Sequence, residues 1–299
     1  MKKLIGITLL GFSFILMSSN FSKKPSAKTA MKVLNGFCSY ISSGNSVIDS
    51  DTVSVQSFYM SNTEITNIQY MEFIHYLKKH GEDEKLAIAN VDTLQWVQRY
   101  DYMSAYTEYY HKHPAYHEYP VVNVSKEGAE LYCEWLSMMY DSISGGELNL
   151  KFRIPTRSEW MRAARGENHQ YFYTWGTPSL RNSEGLILAN HVRFGAEHIT
   201  RNINTGKLEI TNNKVPYDMS SIGDNADVLA PSKSYWPNDF GIYNMNGNAS
   251  EMISDGEFVV GGDWRSPGYD IRNESIKAYK GPSPEIGFRI VASYIQEVK

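Results

Sequence analysis

Short amides, a glycine and a carboxylate are concentrated in the stretch YNMNGNASEMISD, residues 243–255. Asn244, Gly247, Ala249 and Glu251 are spaced so that one tight turn could offer a side-chain amide, two backbone carbonyls and a carboxylate. Calcium takes six to eight oxygen ligands, many of them from the backbone. The same residue types are common in turns, because they tolerate positive φ and bond their own backbone. Taken alone, the stretch favours a turn, and a calcium loop is the alternative.

A second group of candidate metal ligands is divided between the segments LANHV and GDNAD. Asn190, Asp224 and Asp227 carry the side-chain oxygens that calcium binds, and they could converge on one ion. The sequence does not show that the two segments meet. For these segments too, a turn is favoured over a metal site when each is taken alone.

Three histidines fall in the aromatic stretch YYHKHPAYHEYP. His113 and His117 are four residues apart, a spacing that places two zinc ligands on one face of a helix, and His111 is close by. Pro114 and Pro120 interrupt any helix here, however, and no glutamate stands between the histidines in the position of a catalytic base. We therefore favour an aromatic loop that covers the core over a metal site.

Composition and motifs exclude several classes of protein. The chain has 299 residues, a net charge of -4 and mixed acidic and basic residues, with no basic stripe for nucleic acid. It has no GxSxG, no phosphate-binding glycine loop and no CxxC pair. Cys38 and Cys133 could form a disulfide or remain two separate buried thiols. The second is favoured, since Cys133 lies on an apolar helical face with Leu136.

The N-terminus predicts export. Lys2 and Lys3 precede an apolar run over residues 4–17, which has the length of a signal-peptide core and is short for a membrane span. We expect a signal peptide over residues 1–20, a linker over 21–30, one domain over 31–298, and no membrane span once the signal is removed. Asn20 stands where a lipoprotein would carry its lipidated cysteine. We therefore expect release or a retained N-terminal anchor instead of lipid attachment, with the protein in the periplasm or associated with the outer membrane.

Helix signals are confined to the first part of the chain. Thr66 with Gln69 and Thr156 with Glu159 form capping boxes, and Ser125 is a third N-cap candidate. No long periodic helix is predicted after Gly166, where short apolar runs alternate with Gly, Pro, Asn and Asp. Strand-like patterns begin near residue 31 and recur over residues 53–58, 258–260 and 288–292.

Eight segments in order resemble the formylglycine-generating enzyme/sulfatase-modifying factor family. They are FYMSNTEITNIQYMEF, YPVVNVSKEGAELYCEWLS, FRIPTRSEWMRAARG, YTWG, LAN, WPNDFGIYNMNGNASEM, VVGGDW and GFRI. The resemblance implies a compact α+β domain with little regular structure, related to C-type lectins. It also implies two structural calcium sites, and it makes calcium the favoured reading of the opening stretch. One site would use the side chains of Asn244 and Glu251 with the carbonyls of Gly247 and Ala249. The other would use the side chains of Asn190 and Asp224 with the carbonyls of His191 and Ala226.

The same resemblance implies that the family's catalytic chemistry is missing. Formylglycine-generating enzymes bind copper(I) through two cysteines that follow a GGS turn, whereas this chain reads GGDWRSPGYDIR with Ser266 and Ile271 at those positions. Copper(I) requires soft sulfur ligands. We therefore expect no copper and no formylglycine formation. The alternative is an enzyme of different chemistry, for which Asp263, Arg265 and Tyr269 are the candidates.

The segment WVQRYDYMSAYTEYYHKHPAYHEYPVVNVS resembles the gliding-motility and type IX secretion lipoproteins K and J of Bacteroidetes-type bacteria. These carry the domain without its cysteine pair. The resemblance implies a calcium-stabilised binding or scaffold protein of the bacterial envelope. Its partners would be envelope proteins or a secretion or motility complex.

Overall fold

The computed structural model describes residues 25–192, 199–210, 226 and 228–294. The helices in this part of the chain are α1 (Ala27–Phe37), α2 (Asn67–His80), α3 (Asp83–Ile88), α4 (Gln95–Arg99), α5 (Ser104–Tyr109), α6 (Lys126–Ser144) and α7 (Arg157–Arg165). Short 3-10 turns cover Pro114–Tyr116 and Gly268–Ile271. The mixture of short helices with long irregular segments is what the sequence predicted.

A helix stands where the sequence predicts the end of a linker and the start of a strand. The linker predicted over residues 21–30 and the strand pattern predicted from residue 31 are replaced by α1 over 27–37. Ser26 caps α1 by accepting a hydrogen bond from the backbone of Thr29, and Ala30 and Leu34 are buried. Tyr140 of α6 donates its hydroxyl hydrogen bond to the carbonyl of Ala30 at 2.6 Å. The helix is therefore fixed by packing against α6, which the local pattern did not reveal.

The predicted signal peptide, residues 1–20, lies outside the described residues. Within the described ranges, none of the helices combines the length and apolar character needed to cross a membrane.

The three helices with strong sequence signals are confirmed. Thr66 and Thr156 form capping boxes with Gln69 and Glu159 at the starts of α2 and α7, and Ser125 caps α6. α2 ends at Gly81, which adopts the left-handed conformation with φ 68°. That conformation suits glycine because it has no Cβ.

The strands in the described residues are β1 (Cys38–Ile41), β2 (Gly44–Ile48), β3 (Asp51–Val55), β4 (Phe58–Ser61), β5 (Leu150–Arg153), β6 (Ile199–Arg201), β7 (Leu208–Ile210), β8 (Ser250–Met252), β9 (Phe258–Val260), β10 (Ile276–Ala278), β11 (Ile286–Gly287) and β12 (Val291–Tyr294). The first four-stranded sheet is antiparallel in the order β1-β4-β12-β5, and the second has the order β10-β9-β8-β11, with β11 parallel to β8. β2 pairs with β3 and β6 with β7 as separate two-stranded sheets. β9 confirms the strand predicted at 258–260, while the run at 288–292 becomes a strand only from Val291.

The largest core cluster packs α1, α2 and α6 against the first sheet. Phe73, Tyr132 and Phe288 meet there at ring distances of 5.6–5.8 Å. Cys38 and Cys133 belong to the same cluster as free, buried thiols, so the prediction of two unbonded cysteines is confirmed. Burial raises the pKa of both thiols well above the usual value.

The cap of α7 provides a test of the fold. Thr156→Ala should lower the free energy of unfolding by about 1 kcal/mol, because its hydroxyl accepts the otherwise unpaired backbone N–H of Glu159 at 3.2 Å. Urea denaturation measures the change. Ser142→Ala, on the exposed side of α6, is the control and should stay within about 0.5 kcal/mol of the parent. Equal stability of the two variants would show that the capping box is unimportant.

Candidate functional site

Glu251 is a fully buried carboxylate on β8 whose two oxygens both accept short hydrogen bonds. Arg289 donates from Nε to Oε2 at 2.5 Å and from Nη2 to Oε1 at 2.6 Å, which is a bidentate ion pair. The indole Nε1 of Trp160, on α7, donates to Oε2 at 2.7 Å. Glu251 is therefore the charge partner of Arg289 in the centre of the domain.

Arg289 is also fully buried and links two further segments. Its Nη1 donates to the carbonyl of Ser61, at the end of β4, at 3.0 Å. Its Nη2 donates to the carbonyl of Tyr243 at 2.9 Å. The guanidinium thus connects both sheets with the segment that begins at Tyr243.

The predicted tight turn is present beside this ion pair. Asn244 has φ 53°, and Gly247 has φ 79° and donates its N–H to the carbonyl of Gly261 at 2.8 Å. A Cβ on Gly247 would stand 2.2 Å from the carbonyl oxygen of Asn190, so only glycine fits. The turn therefore brings the two predicted metal segments, near 190 and near 247, into contact.

The contacts of Glu251 do not suit the calcium ligand that the resemblance implies. Both carboxylate oxygens already accept from the Arg289 guanidinium, and Oε2 accepts from the Trp160 indole as well, so the charge of Glu251 is already matched by a cation. Asn244 Oδ1, in contrast, is buried and has no hydrogen-bond partner among the described residues. Calcium binding in this region stays a prediction, and Asn244 is the member of the predicted set whose oxygen is available.

The other predicted calcium site lies partly outside the described residues, which include neither Asp224 nor Asp227. Asn190 is buried and donates from Nδ2 to the carbonyl of Val228 at 2.7 Å and to Asn248 Oδ1 at 3.1 Å. The ring Nδ1 of His191 lies 2.9 Å from the carbonyl of Ala189. His191 and Ala226 are both buried. Calcium at this site also stays a prediction.

Ser266, at the first position of the missing cysteine pair, is held by a polar cluster. Its Oγ accepts hydrogen bonds from Lys277 Nζ at 2.5 Å and from the backbone N–H of Asp263 at 3.1 Å. Lys277 also forms an ion pair with Asp263 Oδ2 at 3.2 Å, and Ser250 Oγ donates to the same oxygen at 3.1 Å. Ser266 is 1 % exposed, so its hydroxyl is a structural group of the turn.

Ile271, at the second position, is fully buried in an apolar cluster with Tyr173 and Ala189. The turn before it depends on Gly262, where φ is 69° and an added Cβ would stand 2.6 Å from the carbonyl of Asp270. Cys38 and Cys133 belong to the core cluster of α1, α2 and α6, and neither lies among the residues that surround Ser266 or Ile271. The site therefore provides no thiolate for copper.

A recess of about 270 Å³ adjoins this polar cluster. Its lining includes the basic residues Arg99, Arg265, Lys277 and Lys280 and the acidic residues Asp263 and Glu285. Arg265 lies over the Tyr100 ring at 4.8 Å and the Trp264 ring at 5.7 Å. Burial raises the pKa of Glu285 to about 6, which reduces its negative charge below neutral pH. The lining is therefore basic on balance.

The candidates for alternative chemistry are only partly brought together. Asp263 and Arg265 both line the recess, whereas Tyr269 is 69 % exposed, is not among the lining residues and carries Arg272 at 3.6 Å over its ring. The sequence did not single out Lys277. It reaches Ser266 because β10 pairs with β9, with Lys277 opposite Val259. Because this contact depends on strand pairing, the residues around Lys277 in the sequence do not predict it.

The histidine stretch forms an aromatic cover, as predicted. His111 is buried with Nδ1 3.1 Å from Asn67 Oδ1, while His113 accepts from the N–H of Ala115 at the start of a 3-10 turn. Burial lowers the pKa of His111 to about 3, which keeps the ring neutral. The Tyr110 ring lies 4.9 Å from the His111 ring and 5.2 Å from the Trp96 ring. Nowhere in the described ranges do three or more His, Cys, Asp or Glu residues group as a metal site would.

Comparison with known proteins identifies the family. Residues 18–294 match the model of the sulfatase-modifying factor enzyme 1-like domain, and the chain belongs to that family. It is similar to the formylglycine-generating enzyme of Bos taurus, with 25% identity over 222 residues, 68% of this chain and 50% of that protein. The Streptomyces coelicolor enzyme is 29% identical over 164 residues, 55% of this chain and 38% of that protein. The chain thus spans half or less of these relatives.

Solved structures show the same fold. PvdO from Pseudomonas aeruginosa superposes with a TM-score of 0.53 and 18% identity, covering 85% of this chain and 92% of PvdO. CarF gives a TM-score of 0.50 with 17% identity, covering 85% of this chain and 97% of CarF. The expected α+β fold of formylglycine-generating enzymes is therefore confirmed. At these identities, the likeness concerns the fold alone.

The ion pair between Glu251 and Arg289 is open to direct measurement. Glu251→Gln should lower the free energy of unfolding by about 3–5 kcal/mol, because it leaves a buried guanidinium without its charge partner. Combining it with Arg289→Met should cost less than the sum of the two single changes, since the two groups interact directly. Denaturant unfolding of all four proteins gives the coupling energy.

Glu257→Gln is the matched control for this cycle, because Glu257 pairs with Lys126 but is 68% exposed. Its expected cost is about 0–1 kcal/mol. Additive effects of the Glu251 and Arg289 substitutions would contradict the central role assigned to the pair.

Proposed function

We propose that this protein is an exported binding or scaffold domain of the bacterial envelope that has lost the copper chemistry of its family. The observation that carries the proposal is the replacement of both thiol positions, by Ser266 and Ile271. Copper(I) binds sulfur strongly and neither an alkyl group nor a hydroxyl replaces it. The Ser266 hydroxyl is already hydrogen-bonded to a lysine, and the Ile271 side chain has no donor atom.

The basic recess beside the lost site is the surface that we assign to partner binding. Arg99 and Lys280 are exposed, and Arg265 stacks on two aromatic rings at the same recess. Arginine and aromatic side chains are enriched where protein partners bind. The positive balance favours an acidic segment of an envelope protein. A role in gliding motility or type IX secretion rests on the resemblance of residues 96–125 to lipoproteins of those systems.

An enzyme of different chemistry is the second candidate, and the contact between Ser266 and Lys277 favours it. Serine activated by lysine is a known catalytic arrangement. Here, however, Lys277 donates both to Ser266 and to Asp263, so it acts as a charged donor and not as a base. The burial of Ser266 also keeps its hydroxyl from a substrate. Binding without catalysis is therefore the function that we propose.

The loss of family chemistry is tested with copper and a sulfatase-type cysteine peptide. We expect no formylglycine in the peptide by mass spectrometry, because the chain has no cysteine pair at the site. An active formylglycine-generating enzyme, treated in parallel, verifies the assay. Detection of formylglycine made by this protein would refute the proposal.

The binding role is tested by capture from native envelope extracts. Proteins captured by the parent should be reduced about tenfold with Arg99→Glu/Lys280→Glu, because reversing two charges at the recess repels an acidic partner. The control, Lys151→Glu/Lys207→Glu, reverses two exposed charges in other elements and should capture normally. Melting temperatures verify that both variants are folded. Equal capture by both would remove the recess from the proposal.

A further inference from the structure

β10 is an outer strand of the second sheet, and one of its edges is open. In the order β10-β9-β8-β11, it pairs with β9 alone among the described strands. Its three residues, Ile276–Ala278, are all exposed. An open strand edge presents N–H and C=O groups to which another extended chain can pair. This edge is therefore a candidate docking surface.

The hydrogen bonds beside β10 show how its backbone is oriented. The N–H of Tyr279, just after β10, donates to the carbonyl of Glu257, just before β9, at 2.9 Å. In an antiparallel pair of strands, opposite residues alternate between hydrogen-bonded and non-hydrogen-bonded pairs. Lys277 stands opposite Val259, two positions along each strand from the first bond. The backbone groups of Lys277 therefore face β9.

The backbone groups of Ile276 and Ala278 consequently face the open edge. Phe258 stands opposite Ala278, and its carbonyl accepts from the N–H of Ile253, on the side of β8, at 3.3 Å. Outside the sheet, the backbones of Ile276 and Ala278 form no hydrogen bond with another described residue. Two N–H and two C=O groups are thus available to a further strand.

The two faces of β10 differ in chemistry. Lys277 lines the basic recess. Successive side chains of a strand point to opposite faces of the sheet, so Ile276 and Ala278 belong to the other face. Phe258 shares that face because it stands opposite Ala278. Ile276 is 40 % exposed and Phe258 is 42 % exposed, so this second face presents apolar surface to solvent.

We propose that an extended segment of a partner protein pairs with β10 as an additional antiparallel strand, with an acidic residue opposite Lys277 and an apolar residue on each side of it. Antiparallel pairing uses all four outward groups of Ile276 and Ala278. The residue opposite Lys277 forms a non-hydrogen-bonded pair, where side chains are closest, and shares its face. Its carboxylate enters the recess, and its two neighbours pack on Ile276 and Phe258.

The charge of the recess selects the acidic residue. Lys277 pairs with Asp263, yet 42% of its side chain stays exposed to an incoming anion. Arg99 and Lys280 line the same recess. Opposite charges directly across two strands are stabilising and like charges are destabilising. This inference rests on the partner-binding function proposed above, to which it adds the mode of binding and the sequence pattern of the bound segment.

Fluorescence polarisation with synthetic peptides tests the pattern. The probe is a short, labelled and end-blocked peptide in which Ser and Thr residues flank the central sequence Val-Glu-Val. It should bind the purified protein, and replacing its Glu by Gln should weaken binding about tenfold, because the anion beside Lys277 is lost. A peptide with the central sequence Glu-Val-Glu should also bind more weakly despite its greater charge, since both carboxylates then meet the apolar face.

Substitution of Ala278 tests the strand pairing. Ala278→Pro removes an outward N–H and leaves the bonds to β9, as proline on an edge strand can, and it should abolish peptide binding. Ala278→Ser keeps the N–H and is the matched control, which should bind as the parent does. Melting temperatures compare the folding of the variants.

Hydrogen exchange of the parent gives a readout that needs no variant. The peptide should slow exchange at the amides of Ile276 and Ala278, which face the open edge. The amide of Lys277, which already faces β9, should change little. Unaltered exchange at Ile276 and Ala278 in the presence of saturating peptide would reject the strand pairing, as would normal binding by Ala278→Pro.

Envelope capture with Ala278→Pro separates this inference from the function on which it rests. Reduced capture by both Ala278→Pro and Arg99→Glu/Lys280→Glu is expected. Normal capture by Ala278→Pro alone would remove the strand pairing and keep the recess, whereas normal capture by both would remove both. Dimers of the parent that Ala278→Pro abolishes in sedimentation would assign the edge to a second copy of the chain and contradict the proposal.

Discussion

The buried ion pair between Glu251 and Arg289 is the interaction on which the rest of the structure depends. An isolated charge in the interior is very costly, so each member must be matched and hydrogen-bonded at once. Glu251 has the guanidinium and the Trp160 indole, and Arg289 has the carbonyls of Ser61 and Tyr243 as well. These contacts fix the two sheets, α7 and the turn after Tyr243 relative to one another.

Asparagine side chains explain how a domain with so many irregular segments satisfies its backbone. Asn246 accepts from the N–H of Thr174 at 2.7 Å and donates to the carbonyl of Ile271 at 2.7 Å. Asn238 donates to the carbonyl of Ala163 at 2.8 Å and accepts from the backbone N–H of Phe240 at 3.0 Å. Buried backbone groups need such partners where no strand or helix supplies them. Side-chain amides therefore satisfy backbone groups in these irregular segments, as inter-strand hydrogen bonds do in regular sheets.

Ser266 and Ile271 share no hydrogen bond with the central ion pair, so different residues can stand at these two positions while the fold is kept. Ser266 is integrated into a polar cluster with Lys277 and Asp263, and Ile271 into an apolar one. Fold likeness to PvdO or CarF consequently says nothing about activity, and the site has to be judged by its own residues. Our proposal that the basic recess binds a partner rests on those residues alone.

The sequence by itself determined the helices with caps at Thr66, Ser125 and Thr156, the family, and the absence of thiols at 266 and 271. These signals lie within a few residues of one another, so no tertiary information is needed to read them. Only the tertiary structure decided that α1 is a helix packed on α6, that Glu251 pairs with a residue 38 positions away, and that Glu64 meets Asn244 across 180 positions. These pairs are far apart in sequence, so only the chain topology brings them together. The burial that shifts the pKa of a carboxylate also results from this tertiary packing.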